Sequence, residues 1–448
     1  MERPWLLAVI LEKECYSNIN SYMKRPMFSL MVAIASVTII LFGLLGWSMV
    51  KNPQAAMGEP RQPGTSPTIS QRQKKTVDSR LVAANTKFGF KLFKEILKED
   101  SGKNIFVSPS SVAIALSMTY NGASGDTQQA MAKTLELQGL SLQEVNQSND
   151  ALKALLENPD PQVQLTIANS LWAKKGVSFN PDFLQKNRQF YQAKIAGLDF
   201  RKPSAISDIN NWVKQNTRGK INSIVNEIPP DQVLFLINAL YFKGSWAKKF
   251  DQKQTTTEPF YLSDGTQKQH PMMSQRDKYK YYENDQFQAI SLPYGKGKLS
   301  LYVFLPKENF KLTNFYQQLN TENWEEWMTQ FKTKPGFIQM PRFKMDYDIE
   351  LNDALKALGM EVAFDSNANF TQMSSIPLQL NQVKHKTFVE VNEAGTEAAA
   401  VTAVGVMTTS APMPEEPFEM IVNRPFFACI RDNQTGTVLF MGSIVEPK

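Results

Sequence analysis

The sequence is poor in cysteine and histidine. Its 448 residues include two of each, namely Cys15, Cys429, His270 and His385. Two cysteines give no disulfide framework, and these four side chains are a poor inventory for multi-histidine or cysteine–histidine metal sites. The shortage of histidine also argues against most histidine-based nucleophilic triads. The chain is therefore expected not to be an enzyme, and neither a metal nor a cofactor is expected.

The main part of the chain also lacks an excess of positive charge. The formal net charge is +6, but residues 1–79 hold nine Lys and Arg against five Asp and Glu, which leaves 40 against 38 for residues 80–448. No stripe of basic and aromatic residues follows, so no nucleic acid is expected as a partner. With 42% hydrophobic and 21% charged residues, the composition is that of a globular protein.

No charged residue occurs between positions 26 and 50, a stretch long enough to cross a bilayer. Residues 1–50 are interpreted as a lead and a hydrophobic segment, with 27–50 either a cleaved signal peptide or a membrane anchor. Residues 51–79, rich in Pro, Gly, Ser and Gln, are typical of a flexible linker. Both alternatives predict export, with the folded domain of residues 80–448 secreted, periplasmic or lumenal, or anchored outside the cytoplasm.

Hydrophobic spacing predicts helices first and strands later along the chain. Helices are expected at residues 80–97, 110–120, 125–140 and 142–156. Dense apolar segments predict strands at residues 164–173, 233–242, 279–291, 299–305, 336–341, 382–391 and 438–445. Neither an internal repeat nor a βαβ rhythm is present. The fold class is therefore α+β, with antiparallel or mixed sheets.

An unusual segment of small residues runs from position 390 to 417, EVNEAGTEAAAVTAVGVMTTSAPMPEEP, with no proline before Pro412. As a strand it would present small or β-branched side chains on one face. These are Thr396, Ala398, Ala400, Thr402 and Val404. Alanine-rich runs also favour helix, and the composition also suits a loop, so the residues alone leave the structure of the segment open.

Residues 393–403, EAGTEAAAVTA, resemble the hinge of the reactive-centre loop of a serpin. Further blocks stand in the order of that family: NIFVSPSS at 104–111, NGASG at 121–125, INALYFKGSW at 237–246, MPRFK at 340–344, NRPFF at 423–427 and LFMG at 439–442. Together they span residues 80–448. The resemblance implies a monomer with the serpin fold, in which three β-sheets and about nine helices present an exposed reactive-centre loop.

The resemblance also implies a function, suicide inhibition of a serine protease. The protease attacks the loop and becomes acylated, and the cleaved loop then inserts into the central sheet before the ester is hydrolysed. The partner would be that protease, held in a covalent acyl complex. The alternative is a non-inhibitory serpin with a carrier, chaperone or storage role. A membrane-anchored hydrolase is the third hypothesis, but it lacks any nucleophile motif.

The resemblance assigns hinge roles to Glu393, Gly395, Thr396, Glu397, Ala398, Ala399, Ala400 and Thr402. Gly395 and Thr396 would begin insertion, since glycine tolerates the change in backbone and threonine is the first side chain to be buried. The small residues favour an inhibitor. Ala394 stands where a charged residue is common, and Val401 where alanine is common; Val401 should slow insertion only modestly.

Counting from Glu393 by the usual offset of the family places the reactive bond at Thr409–Ser410, with Met407–Thr408 as the main rival. The residues before the bond, Val406, Met407, Thr408 and Thr409, carry no charge. Such a bait suits elastase-like or subtilisin-like proteases and lacks the Arg or Lys that trypsin-like enzymes need.

Five further residues match structural sites of the family. Ser108, Ser111, Asn238 and His385 match the polar shutter cluster beneath the large sheet, where hydrogen bonds hold the strands until insertion parts them. Trp246 matches the tryptophan of the breach, where the loop first enters the sheet. Without the resemblance, a single His or Trp in a strand would be an ordinary core residue.

Overall fold

The structure is a computed structural model that describes residues 76–157, 160–396 and 416–448. Nine α-helices lie in these three ranges: α1 (Ser79–Glu99), α2 (Pro109–Tyr120), α3 (Gly125–Thr134), α4 (Leu142–Glu157), α5 (Pro181–Lys186), α6 (Ser204–Asn216), α7 (Leu312–Gln318), α8 (Thr321–Gln330) and α9 (Asn352–Leu355). The short 3₁₀ segments are Gln252–Gln254 and Glu361–Ala363, and the π-helical ones are Asn187–Tyr191 and Lys356–Met360.

The same ranges contain fifteen strands. They are β1 (Ile105–Val107), β2 (Val163–Lys174), β3 (Lys194–Leu198), β4 (Leu234–Ser245), β5 (Thr256–Tyr261), β6 (Gln267–Glu283), β7 (Phe287–Tyr294), β8 (Leu299–Pro306), β9 (Lys332–Pro341), β10 (Phe343–Glu350), β11 (Gln382–Asn392), β12 (Gly395–Thr396), β13 (Phe418–Ile421), β14 (Phe426–Asp432) and β15 (Val438–Ile444).

The first sheet has six strands in the order β10, β11, β12, β4, β2 and β3. β4 and β11 pair directly and in parallel, through residues 235–241 and 382–388, and we call this pairing the central seam. β12 lies between the same two strands only beyond the end of the seam. Since β10–β11 and β2–β4 are antiparallel and β2–β3 is parallel, the sheet is mixed.

The remaining strands form a nine-stranded network in the order β1, β15, β14, β8, β7, β6, β9 and β13, with β5 also paired to β6. The long strand β6 pairs with β7 through residues 280–283 and with β9 through residues 272–281. The network thus consists of two parts that share β6. Together with the six-stranded sheet they correspond to the three sheets that the resemblance implies.

Both faces of β4 are buried, which explains its nearly continuous apolar sequence. Phe235, Ile237 and Tyr241 pack with residues of α6 in one apolar cluster. Leu236 and Leu240 belong to the larger core on the opposite face, where α2 is buried along its whole length. An entirely buried helix of this kind requires protein on every side.

The α+β class is confirmed, and the helices and sheets match the expected architecture, but two predicted elements were wrong. The helix predicted at 125–140 ends at Thr134, because Glu136 has a left-handed backbone with a φ of 59° that no helix continues through. The strand predicted at 279–291 is two strands. Asn284 Oδ1 accepts hydrogen bonds from the amides of Gln286 and Phe287, and this side chain builds the turn between them.

Within the part of the chain that the structure describes, no helix is both long and apolar enough to cross a bilayer. Residues 27–50, for which a signal peptide or an anchor is predicted, lie outside the described residues, as does most of the predicted linker.

Candidate functional site

The segment predicted as the hinge begins with a tight hairpin. β11 ends at Asn392, Glu393 and Ala394 form the turn, and β12 returns antiparallel to β11. Gly395 and Thr396 are both buried and pair with β11 on one side and with β4 on the other. Gly395 and Thr396, the third and fourth residues of the predicted hinge, therefore form a strand between β4 and β11.

Gly395 is required by the backbone at this point. Its φ is 144°, a value that residues with a Cβ rarely adopt. A Cβ built on Gly395 would lie 2.0 Å from the carbonyl oxygen of Gly244 on β4. Only glycine allows the loop to approach β4 so closely.

Thr396 is anchored by an aromatic pair at the end of β4. Its hydroxyl lies 2.6 Å from the phenol oxygen of Tyr294, which is fully buried. The ring of Tyr294 stacks on Trp246, with ring centroids 4.5 Å apart and 9° between the planes. Burial raises the pKa of Tyr294, so its hydroxyl stays protonated and available for hydrogen bonding.

Trp246, the predicted breach residue, holds the hairpin turn through two hydrogen bonds. Its indole Nε1–H donates to the carbonyl of Asn392 over 2.8 Å, and its main-chain N–H donates to the carbonyl of Ala394 over 3.1 Å. The indole therefore contacts the loop at the point where it leaves β11.

Glu393 is a buried carboxylate in the turn. Its Oε1 accepts hydrogen bonds from the hydroxyl of Thr255 and from Nε of Arg342. Burial raises the pKa of the Glu393 carboxyl, but the hydrogen bonds from Thr255 and Arg342 outweigh burial and leave that pKa below its usual value. The ionised carboxylate therefore ties the turn to the chain between β9 and β10 and to the chain before β5.

The four predicted shutter residues lie together at the central seam. His385 of β11 and Asn238 of β4 are direct neighbours across it, and Nδ1 of His385 lies 2.6 Å from Oδ1 of Asn238. The main-chain N–H of Ser108 donates to Nε2 of His385 over 3.1 Å. Nδ2 of Asn238 donates to the hydroxyl of Ser111 and to Oδ1 of Asn169.

These contacts define the protonation state of His385. Because Nε2 accepts from Ser108, the ring proton is on Nδ1 and is donated to Asn238. Burial lowers the pKa of His385 to about 3, so the ring is neutral at physiological pH. The hydroxyl of Ser108 has no hydrogen-bond partner among the described residues, so Ser108 contributes its main chain to the cluster and not the predicted side chain.

The other predicted loop residues lie outside the described residues. They comprise the remaining hinge residues Glu397, Ala398, Ala399, Ala400 and Thr402, the neighbours Val406, Met407 and Thr408, and the bond Thr409–Ser410. Cys429 is buried in β14.

Sequence reasoning missed three residues of this site, Tyr294, Arg342 and Thr255. Arg342 lies inside the MPRFK block, and Tyr294 directly precedes the turn at residues 295–298. The local sequence around these residues does not reveal their partners, because the contacts join distant parts of the chain. Tyr294 contacts Thr396, 102 residues away, and Thr255 contacts Glu393, 138 residues away.

Known proteins similar to this chain belong to one family. A family model described as Serpin (serine protease inhibitor) matches residues 83–447. The human protein named leukocyte elastase inhibitor is 36% identical over 387 residues, which cover 82% of this chain and 100% of the relative.

Two solved structures have the same fold. The thermophilic serpin tengpin in its native state is similar with a TM-score of 0.77 and 33% identity, over 83% of this chain and 95% of tengpin. Human thyroxine-binding globulin also has a TM-score of 0.77, with 27% identity over 83% of this chain and 99% of its own.

Proposed function

The chain belongs to the serpin family, and we propose that it inhibits serine proteases by offering the segment after Thr396 as bait. The main observation in support is that Gly395 and Thr396 lie between β4 and β11. A strand that continued from Thr396 in the same direction would enter the central seam between β4 and β11. The family match and the relative named leukocyte elastase inhibitor support inhibition as the function.

In the proposed mechanism, the serine hydroxyl of the protease attacks the carbonyl carbon of Thr409. The peptide bond to Ser410 breaks, the new amino group of Ser410 takes up the proton, and Thr409 remains esterified to the protease. The freed segment then enters the seam before water hydrolyses the ester. About ten newly paired residues, each gaining about 1 kcal/mol, would rival the whole stability of an ordinary domain.

The proposed targets are elastase-like or subtilisin-like proteases. No Lys or Arg occurs between Thr396 and Asn423, so a trypsin-like pocket finds no side chain to bind. The name of the human relative, leukocyte elastase inhibitor, agrees with an elastase as target. The alternative, a non-inhibitory serpin, predicts simple cleavage of the same segment.

The test is incubation of the full chain with an elastase and with subtilisin, followed by a denaturing gel and intact mass. An adduct that survives SDS, with a released fragment beginning at Ser410, is expected. Thr396→Arg should be cleaved without forming the adduct, because a charged side chain cannot occupy the buried position beside Tyr294. Glu416→Arg, which introduces the same side chain at an exposed position, is the control.

If the wild-type chain is cleaved and the protease keeps its full activity, the inhibitory function is wrong and the non-inhibitory alternative stands. Adducts from the wild type and from Thr396→Arg in equal yield would refute the insertion mechanism while leaving covalent inhibition intact.

Export through residues 27–50 is a separate proposal, based on the uncharged run in the sequence. Expression of the full chain with fractionation tests it. Recovery of the folded domain in the cytoplasmic fraction alone would contradict it, and the mass of the mature N-terminus would distinguish a signal peptide from an anchor.

A further inference from the structure

Strand β6 separates its charged side chains between two faces. From residue 276 to residue 280 its sequence is RDKYK, which mixes both signs along the chain. Because side chains alternate along a strand, Arg276, Lys278 and Lys280 lie on one face, and Asp277 and Tyr279 lie on the other. The three cations are exposed, whereas Tyr279 is buried. We call the three cations the basic row.

The carboxylate of this segment does not neutralise the basic row. On the opposite face, Asp277 forms an ion pair of 2.7 Å with Nζ of Lys248. Within the described ranges, no carboxylate forms an ion pair with any of the three cations. Residues two apart on a strand are about 6.8 Å from each other, so the basic row presents three positive charges over about 14 Å.

Apolar side chains lie directly beside the basic row on β9. Arg276 is opposite Phe337 and Lys278 is opposite Pro335, and both apolar residues are half-buried. The guanidinium of Arg276 lies over the ring of Phe337, 4.7 Å from its centroid. Glu419 of β13 is opposite Phe337 on the other side of β9, so the width of β9 separates this exposed carboxylate from Arg276.

The other face of these three strands packs into the core. Tyr281 of β6, Ile338 of β9 and Met420 of β13 all belong to the main apolar cluster. The face with the basic row is the solvent side of the same sheet. An arginine stacked on an aromatic ring, next to further apolar surface, is typical of protein–protein interfaces. Three unneutralised cations require a partner surface of negative charge.

This face lies next to the end of the proposed bait. β13 begins at Phe418, eight residues after Ser410 of the proposed reactive bond. Eight residues span at most about 28 Å. A protease domain of about 250 residues has a radius of gyration of about 18 Å. The basic row lies two strands from β13, or about 10 Å, so a protease held at the proposed bond can reach it.

We propose that the basic row, with Phe337 and Pro335 beside it, is a docking surface for an acidic patch on the target protease. The inference rests on the proposed function, because it takes the partner to be the inhibited protease. It goes further by naming the surface charge of that protease. The bait selects the pocket of the protease, and the basic row selects the charge of its surface. Because charged surfaces act on the encounter of two proteins, the docking surface raises the association rate.

The test measures the second-order rate of SDS-stable adduct formation between the full-length protein and two forms of subtilisin, native and succinylated. Succinylation replaces the positive charge of surface lysines with a negative charge, and titration of the active site puts both forms on one scale. Lys278→Glu/Lys280→Glu reverses two charges of the basic row. Lys133→Glu/Lys214→Glu is the matched control, because it changes the net charge equally at exposed positions of α3 and α6.

At low ionic strength, wild type should react about tenfold faster with succinylated than with native subtilisin. The variant of the basic row should lose this gain, and the control should keep most of it. In 1 M salt the Debye length falls to about 3 Å, so the difference among the three proteins should disappear. Their urea midpoints should agree, since all four substituted side chains are exposed.

Three outcomes overturn the inference. An equal loss of rate in both double variants, or no gain in wild type, would show that the basic row has no local role, with inhibition intact. Loss of heparin–agarose binding in the variant of the basic row, without any change in its preference between the two subtilisins, would assign the row to a polyanion. If both forms of subtilisin cleave wild type without an adduct, the proposed function is rejected together with the docking surface.

Discussion

Arg342 donates a hydrogen bond from Nε to Oε1 of Glu393 over 2.6 Å. The guanidinium is 41% exposed and the carboxylate 3% exposed, so a cation at the surface neutralises an anion in the interior of the hairpin turn. The contact joins two segments 51 residues apart and fixes the point from which β12 enters between β4 and β11.

Glu393→Gln should destabilise the native protein. The amide cannot accept charge-assisted hydrogen bonds from both Thr255 and Arg342, so we expect a loss of about 1–3 kcal/mol in the free energy of unfolding at pH 7. Because the folded-state pKa of Glu393 is lowered, this stability is present above the ordinary carboxyl pKa and is lost as pH falls through the folded value. Wild type and variant should therefore converge in acid; Glu416→Gln, at an exposed site, should match wild type throughout.

Stability should also fall between pH 6.5 and 3 because of His385. Its folded-state pKa of about 3 lies below the ordinary value of 6.5, so the unfolded chain binds the extra proton in this range. One such group contributes a slope of about 1.4 kcal/mol per pH unit. His385→Gln should flatten the dependence of the urea midpoint on pH. An equal slope in wild type and variant would show that the buried ring does not resist protonation.

His270→Gln is the matched variant for that measurement, since the chain has no third histidine. Burial also lowers the pKa of His270, whose Nε2 lies 2.6 Å from the carbonyl oxygen of Arg342. We expect His270→Gln to change the pH slope less than His385→Gln, because His270 is 8% exposed and His385 is fully buried.

Gly395→Ala should prevent β12 from pairing with β4. The added Cβ would overlap the carbonyl of Gly244 in a backbone conformation that alanine rarely adopts. We expect a loss of about 2–4 kcal/mol in the free energy of unfolding. Gly265→Ala separates the two causes. Gly265 also has a positive φ, 84°, but a Cβ there meets nothing within 4 Å, so its cost should stay near 1 kcal/mol. Equal losses in both variants would rule out the clash.

Tyr294 and Thr396 should be energetically coupled. Tyr294→Phe keeps the ring that stacks on Trp246 and removes only the hydroxyl that contacts Thr396. A double-mutant cycle with Thr396→Val should give a coupling energy of about 1 kcal/mol, measured by denaturant unfolding. Purely additive losses would mean that the two hydroxyls do not interact in solution.

The sequence predicted the fold because the fold depends on local blocks, and the hinge, which rests on such a block too, stays a prediction. The hydrophobic runs around Phe235 and Leu301 are long, and the shutter residues lie in blocks that keep their order along the chain. The partners within the site could not be predicted in the same way. Whether Arg342 meets Glu393 or another carboxylate depends on the lateral packing of β10 and β11, which the order of blocks does not express.

The sequence also failed to predict where α3 ends and where the strand predicted at 279–291 is divided. Each of these errors has a local physical cause. A left-handed residue at Glu136 ends α3 where the polar sequence permits further helix, and the Asn284 side chain turns the chain where β-favouring residues continue on both sides. Both effects come from single residues inside segments whose average composition predicts the opposite.

The central seam also bears on how the chain folds. His385 and Asn238 are 147 residues apart, so the pairing of β11 with β4 has a very high contact order and should form slowly. The β11–β12 hairpin has a two-residue turn and can form at once. The order of these two events matters, because β4 can pair directly with β11 only if the two strands meet before the chain beyond Thr396 occupies the position between them.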